Sequence, residues 1–343
     1  MQNKHICILA IESSCDDTSC AVMMNARVLS HVTANQSIHA EHGGVVPELA
    51  SRDHQKNIVL VVDKALKDAG LKTSDLHAVA VTSGPGLMGS LLVGLSFAKS
   101  MALALNIPLI NVNHMQAHIL AHFVKPKGHS EPEVPAFPFL CLTVSGGHTQ
   151  LVAVNDHLCF ELIGETIDDA VGEAFDKAAK ILGLPYPGGP LIDHYAKTGD
   201  ASRFAFAETK VPGYNFSFSG IKTSFLYFIR KQVQEDPEFV QNNLADICAS
   251  YQKHLIQVLL KRVKHVLSEK KFQHFAIAGG VSANSELRKQ VLGLEKNGTV
   301  KTFIPAFEFC TDNAAMIGVT AYYQFLNKQF SDLGCAPDVR LQV

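Results

Sequence analysis

The sequence is poor in charge and has no closely spaced cysteine pair. Only 18% of its 343 residues are charged and 47% are hydrophobic, which excludes a coiled coil and a disordered chain and leaves ample material for hydrophobic cores. The net charge is −2, so RNA could be bound only through a local basic patch. The eight cysteines include no Cys-x-x-Cys pair, and we expect them to be reduced thiols of a cytoplasmic protein.

One long stretch of the chain carries a single charge. From Gly84 to Leu105 the only charged residue is Lys99, and the length is sufficient to span a bilayer. Glycines and a proline interrupt its start, however, and a strand-like stretch, 77–82, precedes it. A buried helix of an α/β domain is therefore favoured over a membrane span. Because 343 residues exceed the size of one ordinary domain, we expect two domains.

Short apolar runs alternate with helical patterns along the first half of the chain, which is typical of an α/β protein. The predicted elements are strands 6–11, 19–24 and 27–34, helix 47–70, strand 77–82, helix 87–106, strand 108–112 and a helix that begins at His114. The first three strands are joined by tight turns and predict an antiparallel meander. Gly70 is expected to end the first long helix.

A proline-rich segment, 125–138, is the best candidate for a linker, and the opening pattern of the chain returns after it. A second hairpin, made of strands 139–144 and 150–155, indicates a weak internal duplication that the sequence alone leaves open. The elements predicted after it are helix 168–182, a Gly/Pro loop at 185–190, helix 243–270, strand 272–278, a helix from Ser285, strand 299–304 and a last helix from Thr311.

Two histidines four residues apart could chelate a metal ion. His114 and His118 would lie on the same face of a helix, although such a pair is more often a simple surface or core feature. His122 lies about 12 Å from His114 along the helix axis, too far to share one ion, and is expected to be structural. A metalloprotease of the His-Glu-x-x-His type needs a glutamate after the first histidine, and Met115 occupies that position.

Three loops have the composition of phosphate-binding turns. Residues 12–18 and 145–149 are hairpin turns rich in small and hydroxylated residues, whose N–H groups suit phosphate oxygens, although each could be a plain β-turn. Residues 279–284 join a strand to a helix, and their glycine pair permits close approach of a ligand. Two acids stay ambiguous: Asp176 is a solvated helix residue or a ligand of ribose hydroxyls, and Asp312 is a helix cap or a functional carboxylate.

The order of the motifs along the chain is more informative than any one of them. From the N-terminus they are IESSCDDT (11–18), SGPG (83–86), HMQAH (114–118), VSGGHT (144–149), DDAVGEAFD (168–176), PGGP (187–190), FSFSG (216–220), GGVSAN (279–284) and CTDN (310–313). As an ordered set they resemble the TsaD family of bacterial tRNA N6-adenosine threonylcarbamoyltransferases, whose archaeal and eukaryotic relatives work in the KEOPS complex. His122 and the linker 125–138 are not part of that pattern.

The resemblance implies a two-lobed α/β fold of the actin-like ATPase type (sugar kinase, Hsp70 and actin). It implies a first lobe of residues 1–124 and about 313–343, a second lobe of about 125–312, and an active site in the cleft between them. By position, His114, His118 and Asp312 match the metal ligands of the family. Two imidazoles and one carboxylate suit one divalent ion, with Fe(II) favoured and Zn(II) as the alternative.

The resemblance also implies a set of substrate-binding positions. They fall on Thr143, Val144, Ser145, Gly146, Gly147, Asp176, Gly189, Asp193 and Asn284. The implied reaction transfers a threonylcarbamoyl group from threonylcarbamoyl-AMP to N6 of adenosine 37 in tRNAs that read codons beginning with A, which forms t6A. Positioning must supply much of the rate, because the adenine amine is a poor nucleophile. Glu12 is the candidate acceptor of its proton.

The implied partners are tRNA, a shorter actin-like paralogue of the TsaB type and a small ATPase of the TsaE type, with no membrane involved. The apolar helix 87–106 and its neighbour 47–70 are expected to bury an interface with the paralogue, and plain burial in the first lobe is the alternative. A basic patch near the end of helix 243–270 is the candidate tRNA surface, unless it is only a solvated helix end. It comprises Lys261, Arg262, Lys264, His265, Lys270 and Lys271.

Two other functions remain open from the sequence. A small-metabolite kinase or ATPase of the same fold is one, since this fold serves many reactions. The histidine pair argues against it, because a Mg-ATP kinase does not need imidazole ligands. A metalloendopeptidase, an older description of this family, is the other, and Met115 argues against it.

Overall fold

The structure, a computed structural model, describes residues 5–36, 39, 43–128, 131–207, 209, 211–298 and 300–343. The predicted linker 125–138 and the predicted strand 299–304 each include residues outside these ranges, namely 129–130 and 299. The chain divides into two compact units. Unit 1 comprises residues 1–134, 156–160 and 305–343, and unit 2 comprises residues 135–155 and 161–304.

Unit 1 is built on a five-stranded sheet with the strand order β3-β2-β1-β4-β5. Its elements are β1 (Cys7–Glu12), β2 (Thr18–Met24), β3 (Arg27–Ala34), α1 (Pro47–Ala69), β4 (Ala78–Gly84), α2 (Met88–Leu105), β5 (Leu109–Asn113), α3 (His114–Leu120) and, after unit 2 in the chain, α9 (Ala314–Leu326). β1 pairs antiparallel with β2 and parallel with β4, and β4 pairs parallel with β5. Every residue of β1 is buried, as expected for a central strand covered on both faces.

Unit 2 is built on a second five-stranded sheet with the order β10-β9-β6-β7-β8. Its elements are β6 (Phe139–Val144), β7 (Thr149–Asp156), β8 (Cys159–Glu165), α4 (Val171–Ile181), α5 (Gly188–Ala196), α6 (Ser219–Glu235), α7 (Phe239–Lys270), β9 (His274–Ala278), α8 (Ser285–Lys296) and β10 (Lys301–Phe303). The residues at the tip of the β7–β8 hairpin, 156–160, group with unit 1. β6 pairs antiparallel with β7 and parallel with β9.

The two sheets have the same strand order when each is numbered from its own first strand. An antiparallel hairpin opens each sheet, a third strand continues it on one side, and two parallel strands extend it on the other. This match confirms the internal duplication that the two hairpins indicated. It also places the loops after β1 and β6 at equivalent positions in their sheets.

Three elements of unit 2, namely α5, α6 and β8, were not predicted from the sequence, and each omission has a physical reason. The Gly/Pro loop predicted at 185–190 was wrong in its second half, because helix α5 begins at Gly188. Glycine is a poor helix former, but the Asp176 carboxylate accepts hydrogen bonds from the N–H groups of Gly188 and Gly189 and so stabilises the first turn. Helix α6 is likewise started by Asp168, which accepts from Phe218 and Ser219. Strand β8 is largely exposed and lacks an apolar alternation.

Helix α2, predicted from its apolar run, is buried on one side only. Leu91, Leu95 and Ala98 face the core, whereas Leu92 and Leu103 are 44% and 67% exposed. By length and composition α2 could cross a membrane, but a single helix of this kind is weak evidence, since core helices pass the same test. The prediction of a helix is confirmed, and complete burial of it is not observed.

Candidate functional site

Two histidines and an aspartate meet in unit 1. Helix α3 follows β5 directly, and its first turn is capped by the Asn113 side chain, which accepts hydrogen bonds from two backbone N–H groups. His114 and His118 therefore point the same way, with ring centroids 4.6 Å apart. Asp312 lies just before helix α9. The N-cap of this helix is Asn313, so the Asp312 carboxylate does not cap the helix. Its Oδ1 is 3.3 Å from His114 Nε2 and 3.2 Å from His118 Nε2.

The donor atoms of these three residues fit a small divalent cation. Ions bound at about 2.0–2.2 Å by nitrogen and oxygen hold their ligand atoms roughly 3.0–3.5 Å apart, and the two distances above fall in that interval. His118 supplies a second argument: its buried Nδ1 has no hydrogen-bond partner among the described residues. If Nδ1 carries the proton, Nε2 and the Asp312 carboxylate are two acceptors that face each other. If Nε2 carries the proton, Nδ1 is a buried acceptor without a donor. A cation bound between Nε2 and the carboxylate removes the conflict between the two acceptors.

Glu12 and Ser14 support His114 from behind. Glu12 is fully buried, and its Oε2 lies 3.1 Å from His114 Nδ1, on the side of the ring that faces away from Asp312. The same carboxylate accepts hydrogen bonds from the Ser14 N–H and the Thr82 hydroxyl, and the Ser14 hydroxyl also contacts His114 Nδ1 at 3.3 Å. A carboxylate that accepts from one ring nitrogen keeps the other available to a metal.

The charges of this cluster are unbalanced without a cation. Burial alone would lower the pKa of His114, but Asp312 and Glu12 outweigh it and raise that pKa well above the ordinary value. Burial alone would raise the pKa of Asp312, but His114 and His118 hold it far below its usual range. Two carboxylates thus face a single protonated imidazole, which leaves one negative charge unbalanced. A divalent cation would balance both carboxylates and leave His114 Nε2 unprotonated as a ligand.

His122 does not belong to the cluster. It is buried in the short 3-10 turn that follows α3, and only His114, His118 and Asp312 form a metal-compatible group of histidine, cysteine or acidic residues in the described part of the chain. Its position agrees with the structural role expected from the sequence.

In unit 2, the predicted substrate residues at 143–147 divide into two kinds. Thr143 and Val144 are fully buried in β6, where their backbones pair with neighbouring strands. Gly146 and Gly147 are exposed at the turn, and in the described structure their N–H groups have no protein partner. Gly279, in a left-handed conformation (φ 85°), packs against this strand end, because an added Cβ would lie 2.4 Å from the Val144 carbonyl oxygen. Among residues 143–147, the backbone N–H groups of Gly146 and Gly147 are thus the ones presented to a ligand, since the Ser145 N–H donates to the His148 carbonyl.

The side chains of the three other polar residues of the predicted set accept hydrogen bonds at the first turns of helices. Asp176 Oδ1 accepts from the N–H groups of Gly188 and Gly189 at the start of α5, and burial raises its pKa. The Asn284 side chain caps α8 and also donates to Gln252 Oε1 at 2.7 Å. Asp193 accepts from the N–H and hydroxyl of Ser285. Asn284 and Asp193 are therefore brought together at the first turn of α8, while Asp176 and Gly189 meet at α5.

Sequence reasoning missed the residues that support the candidate metal ligands. Ser14 lies in a loop already singled out for its composition, but its contact with His114 has no local signal. Thr82 ends an apolar strand and could have been recognised as a polar exception there. His54, which contacts the loop 12–18 from α1, is one histidine in an amphipathic helix and carries no pattern of its own.

Comparison of the sequence with protein families matches it to the TsaD family. The model of the TsaD family, described as tRNA N6-adenosine threonylcarbamoyltransferase, matches residues 27–319. A protein of that name from Christiangramia forsetii is 56% identical over 340 residues, which is 99% of each chain. Another from Cytophaga hutchinsonii is 55% identical and spans 100% of this chain and 98% of its own.

Solved structures with the same fold are far less similar in sequence. HypF from T. kodakarensis superposes with a TM-score of 0.62 at 14% identity, over 95% of this chain and 48% of that chain. A full-length HypF in a phosphate- and nucleotide-bound form gives a TM-score of 0.58 at 12% identity, over 96% and 57% of the two chains. At such identities the likeness concerns the fold alone, which is the α/β fold of the actin-like ATPases, as the motifs implied.

Proposed function

The chain belongs to the TsaD family of tRNA N6-adenosine threonylcarbamoyltransferases, and from this premise we propose that His114, His118 and Asp312 hold one divalent metal ion. The enzyme transfers the threonylcarbamoyl group of threonylcarbamoyl-AMP to N6 of adenosine 37 in tRNA and so forms t6A. The metal proposal is carried by one observation: two imidazole nitrogens and a carboxylate oxygen converge in a buried cluster that is otherwise unbalanced in charge. Fe(II) and Zn(II) both suit this ligand set.

In the transfer, a bond forms between N6 of the adenine and the carbamoyl carbon. The bond between that carbon and the phosphate oxygen breaks, AMP leaves as the phosphate anion, and N6 passes its proton to that anion or to water. A bound metal ion would supply positive charge for oxygens of the donor. Glu12, the predicted proton acceptor, has both carboxylate oxygens engaged, so we give it the role of orienting His114.

We further propose that unit 2 binds the adenylate part of the donor. The free N–H groups of Gly146 and Gly147 suit phosphate oxygens, as do helix starts. Gly189 lies at the start of α5 and Asn284 at the start of α8, and Asp193 contacts the start of α8 through Ser285. Asp176 keeps its second carboxylate oxygen for a ribose hydroxyl. Thr143 and Val144 would act only by fixing the end of β6.

The two alternative functions are not favoured. Relatives 50–56% identical over nearly the whole chain carry the transferase name and none of them is named a kinase or a peptidase. The chemistry agrees, since Met115 occupies the position at which a protease of the His-Glu-x-x-His type requires a glutamate. Because the substrate is tRNA, we propose that the enzyme acts in the cytoplasm.

The reaction is tested by mass spectrometry of tRNA nucleosides. The purified chain is incubated with threonylcarbamoyl-AMP, unmodified tRNA and the proposed partners, with and without Fe(II) or Zn(II). We expect t6A only when threonylcarbamoyl-AMP is present, and more of it after metal is restored to a chelator-treated sample. Unchanged t6A formation after complete metal removal would contradict the metal proposal while leaving the transferase activity intact.

We propose that tRNA contacts a groove between α7 and α8 in unit 2. This groove, of about 410 Å³, is lined by Lys253, Lys261 and Lys264, with Glu286 as its one carboxylate. It refines the patch predicted from the sequence, because two members of that patch serve internal contacts. Arg262 donates to the carbonyl groups of Val211 and Gly213, and His265 pairs with Glu269.

Charge reversal tests the groove. Lys261→Glu with Lys264→Glu should weaken tRNA binding and lower the slope of log affinity against log salt by roughly 1.5, since each phosphate contact contributes about 0.7–0.9. The matched control is Lys56→Glu with Lys64→Glu, the same charge change at exposed positions of unit 1. Equal losses in the two double variants would mean that overall charge, and not this groove, governs binding.

The outer faces of α1 and α2 are the proposed docking surface for the shorter actin-like paralogue. Val59 and Leu60 of α1 are 58% and 68% exposed, and Leu92 and Leu103 of α2 are also exposed. Large apolar side chains exposed together are unusual in a chain that works alone. A small ATPase of the TsaE type is proposed as a third component from the family resemblance only.

A charged side chain on this surface should prevent docking without unfolding the chain. We expect Val59→Glu to abolish co-elution with the paralogue in size-exclusion chromatography, because a buried unpaired carboxylate is costly at an interface. Leu292→Glu is the matched control, since Leu292 is an exposed leucine of unit 2. Full t6A formation by the isolated chain would show that no paralogue is required.

A further inference from the structure

The loop that supports His114 is itself held by helices α1 and α2. From α2, the Ser90 hydroxyl donates to the Cys15 carbonyl at 2.9 Å, and the Ser90 carbonyl accepts from the Ser13 hydroxyl at 3.0 Å. From α1, His54 reaches the same loop with both ring nitrogens. Its Nδ1 lies 2.8 Å from the Thr18 hydroxyl and its Nε2 lies 3.0 Å from the Cys15 carbonyl oxygen.

The two contacts of His54 determine its tautomer. A carbonyl oxygen can only accept, so Nε2 must carry the proton, and Nδ1 then accepts from the Thr18 hydroxyl. His54 is completely buried, and this burial lowers its pKa, which agrees with a neutral ring. Both ring nitrogens of His54 are thus hydrogen-bonded to residues of the loop 12–18. These two bonds explain why a histidine is found on the buried face of α1.

The loop connects His54 to the metal ligand. Cys15 is next to Ser14, whose hydroxyl touches His114 and whose N–H donates to Glu12. Thr18 begins β2 at the other end of the loop, so His54 clamps both the middle and the end of it. If either contact is lost, the loop segment that carries Ser14 loses one of its anchors, and the Ser14 hydroxyl should shift against His114.

We propose that His54 is a positioning residue: it holds the loop 12–18 so that Glu12 and Ser14 orient His114 as a metal ligand. This rests on the proposed metal site. Helix α1 then has two roles, because it carries the exposed Val59 on its outer side and His54 on its buried side. A partner that docks on α1 would therefore affect the geometry of the metal site through His54.

The test is titration of the metal-free chain with Co(II), read by its visible absorption bands, which report ligand geometry without requiring activity. His54→Ala should weaken Co(II) binding about tenfold, the lower end of the effect of removing residues that orient metal ligands, and should change the spectrum. Thr18→Val removes only the hydroxyl and should give a smaller change of the same kind. His54→Gln, whose amide can still donate to the Cys15 carbonyl, should restore much of the affinity.

The matched control is Ser30→Ala. The Ser30 hydroxyl donates to the Ala65 carbonyl and ties β3 to the same helix without touching the loop. It should lower the melting temperature and leave the Co(II) spectrum unchanged. An unaltered spectrum and affinity in both His54→Ala and Thr18→Val, or an equal change in Ser30→Ala, would overturn the inference. A wild-type chain that binds no Co(II) would overturn the metal site and the inference together.

Discussion

The two units share one sheet order but use their polar side chains differently. In unit 1 the side chains at the strand ends turn toward one another: His114, His118 and Asp312 meet, and Glu12 backs them. In unit 2 the polar side chains of the predicted site turn toward the backbone. Asp176 and Asn284, for example, each accept hydrogen bonds from the first turn of a helix.

The difference teaches that the same scaffold can offer a ligand two kinds of group. Unit 1 offers side-chain donors whose removal leaves the surrounding helices intact. Unit 2 offers backbone N–H groups whose placement depends on the side chains that cap them. A substitution in unit 1 should therefore remove chemistry and spare stability, whereas a substitution in unit 2 should affect binding and stability together.

The largest effect is expected in unit 1. His118→Ala should lower metal affinity by more than about 100-fold, because it removes a ligand and not merely a residue that orients one. The chain should stay folded, since alanine is the best helix former. Metal content after dialysis, measured by mass spectrometry, is the readout.

His122→Ala provides the matched control, because His122 is equally buried at the end of the same helical stretch. It should retain wild-type metal content. If the two variants lost metal to the same extent, the cluster of His114, His118 and Asp312 would not be the site.

An intermediate effect is expected in unit 2. Asn284→Ala removes the cap of α8 and the bond to Gln252, so it should lower the free energy of unfolding by about 1–2 kcal/mol. It should also weaken AMP binding by about 1–3 kcal/mol if the side chain meets the ligand. Thermal unfolding and calorimetric titration with AMP measure the two quantities.

The variant Asn284→Asp separates the two contributions. An aspartate still accepts at the cap but cannot donate to Gln252, so most of the stability should return. Stability restored while the affinity for uncharged adenosine stays low would assign the amide to the ligand, because the added carboxylate by itself repels the phosphate of AMP. Wild-type AMP affinity in Asn284→Ala would remove this residue from the proposed adenylate site.

The smallest effects concern pH, and they should have opposite signs in the two units. Burial, with Asp16 and Asp312 nearby, raises the pKa of Asp17 to about 7. The unfolded chain loses this proton near pH 4, so the contribution of Asp17 to the stability of the metal-free chain is present at low pH and lost as pH rises through 7. Asp17→Asn should reduce that loss by about 1–2 kcal/mol, with allowance for partial exposure.

In unit 2, burial alone would raise the pKa of Asp168, but hydrogen bonds from Ser217, Phe218 and Ser219 lower it overall. Its contribution is therefore present above pH 4 and lost as pH falls through the lowered value. Asp168→Asn should cost most near neutral pH and little near pH 3. Urea unfolding of both variants in chelator across about pH 3–8 measures these trends, and equal trends would contradict the comparison.

Much of this comparison could be predicted from the sequence, where the signals are local. The strands of both hairpins and the histidine pair have periods and spacings that a short window contains. Asp312 has no such signal, because it is 194 positions from His118, and only the ordered motifs of the family pointed to it. Helix α5 could not be predicted, since it starts with two glycines and depends on a carboxylate from another helix.

The residues that support the proposed metal ligands could not be predicted from the sequence for a different reason. The contacts of Ser14, Thr82 and His54 are made across the packed interior, and buried polar residues find partners that no local pattern encodes. Each of these residues reads in the sequence as an ordinary member of a strand, loop or helix. Their role in supporting the proposed ligands can be inferred only from the hydrogen bonds that they make in the folded chain.

The discontinuity of unit 1 has a consequence for how the protein is made on the ribosome. Unit 2 is one nearly continuous stretch of chain and is synthesised completely before residue 305. At about 5–20 residues per second, the 194 positions from His118 to Asp312 take roughly 10–40 s. During that interval the histidines exist without their carboxylate, and helix α9 has not yet covered the sheet of unit 1. The proposed metal site would therefore be among the last parts of the nascent chain to form, and any metal would bind only after residue 312 has been synthesised.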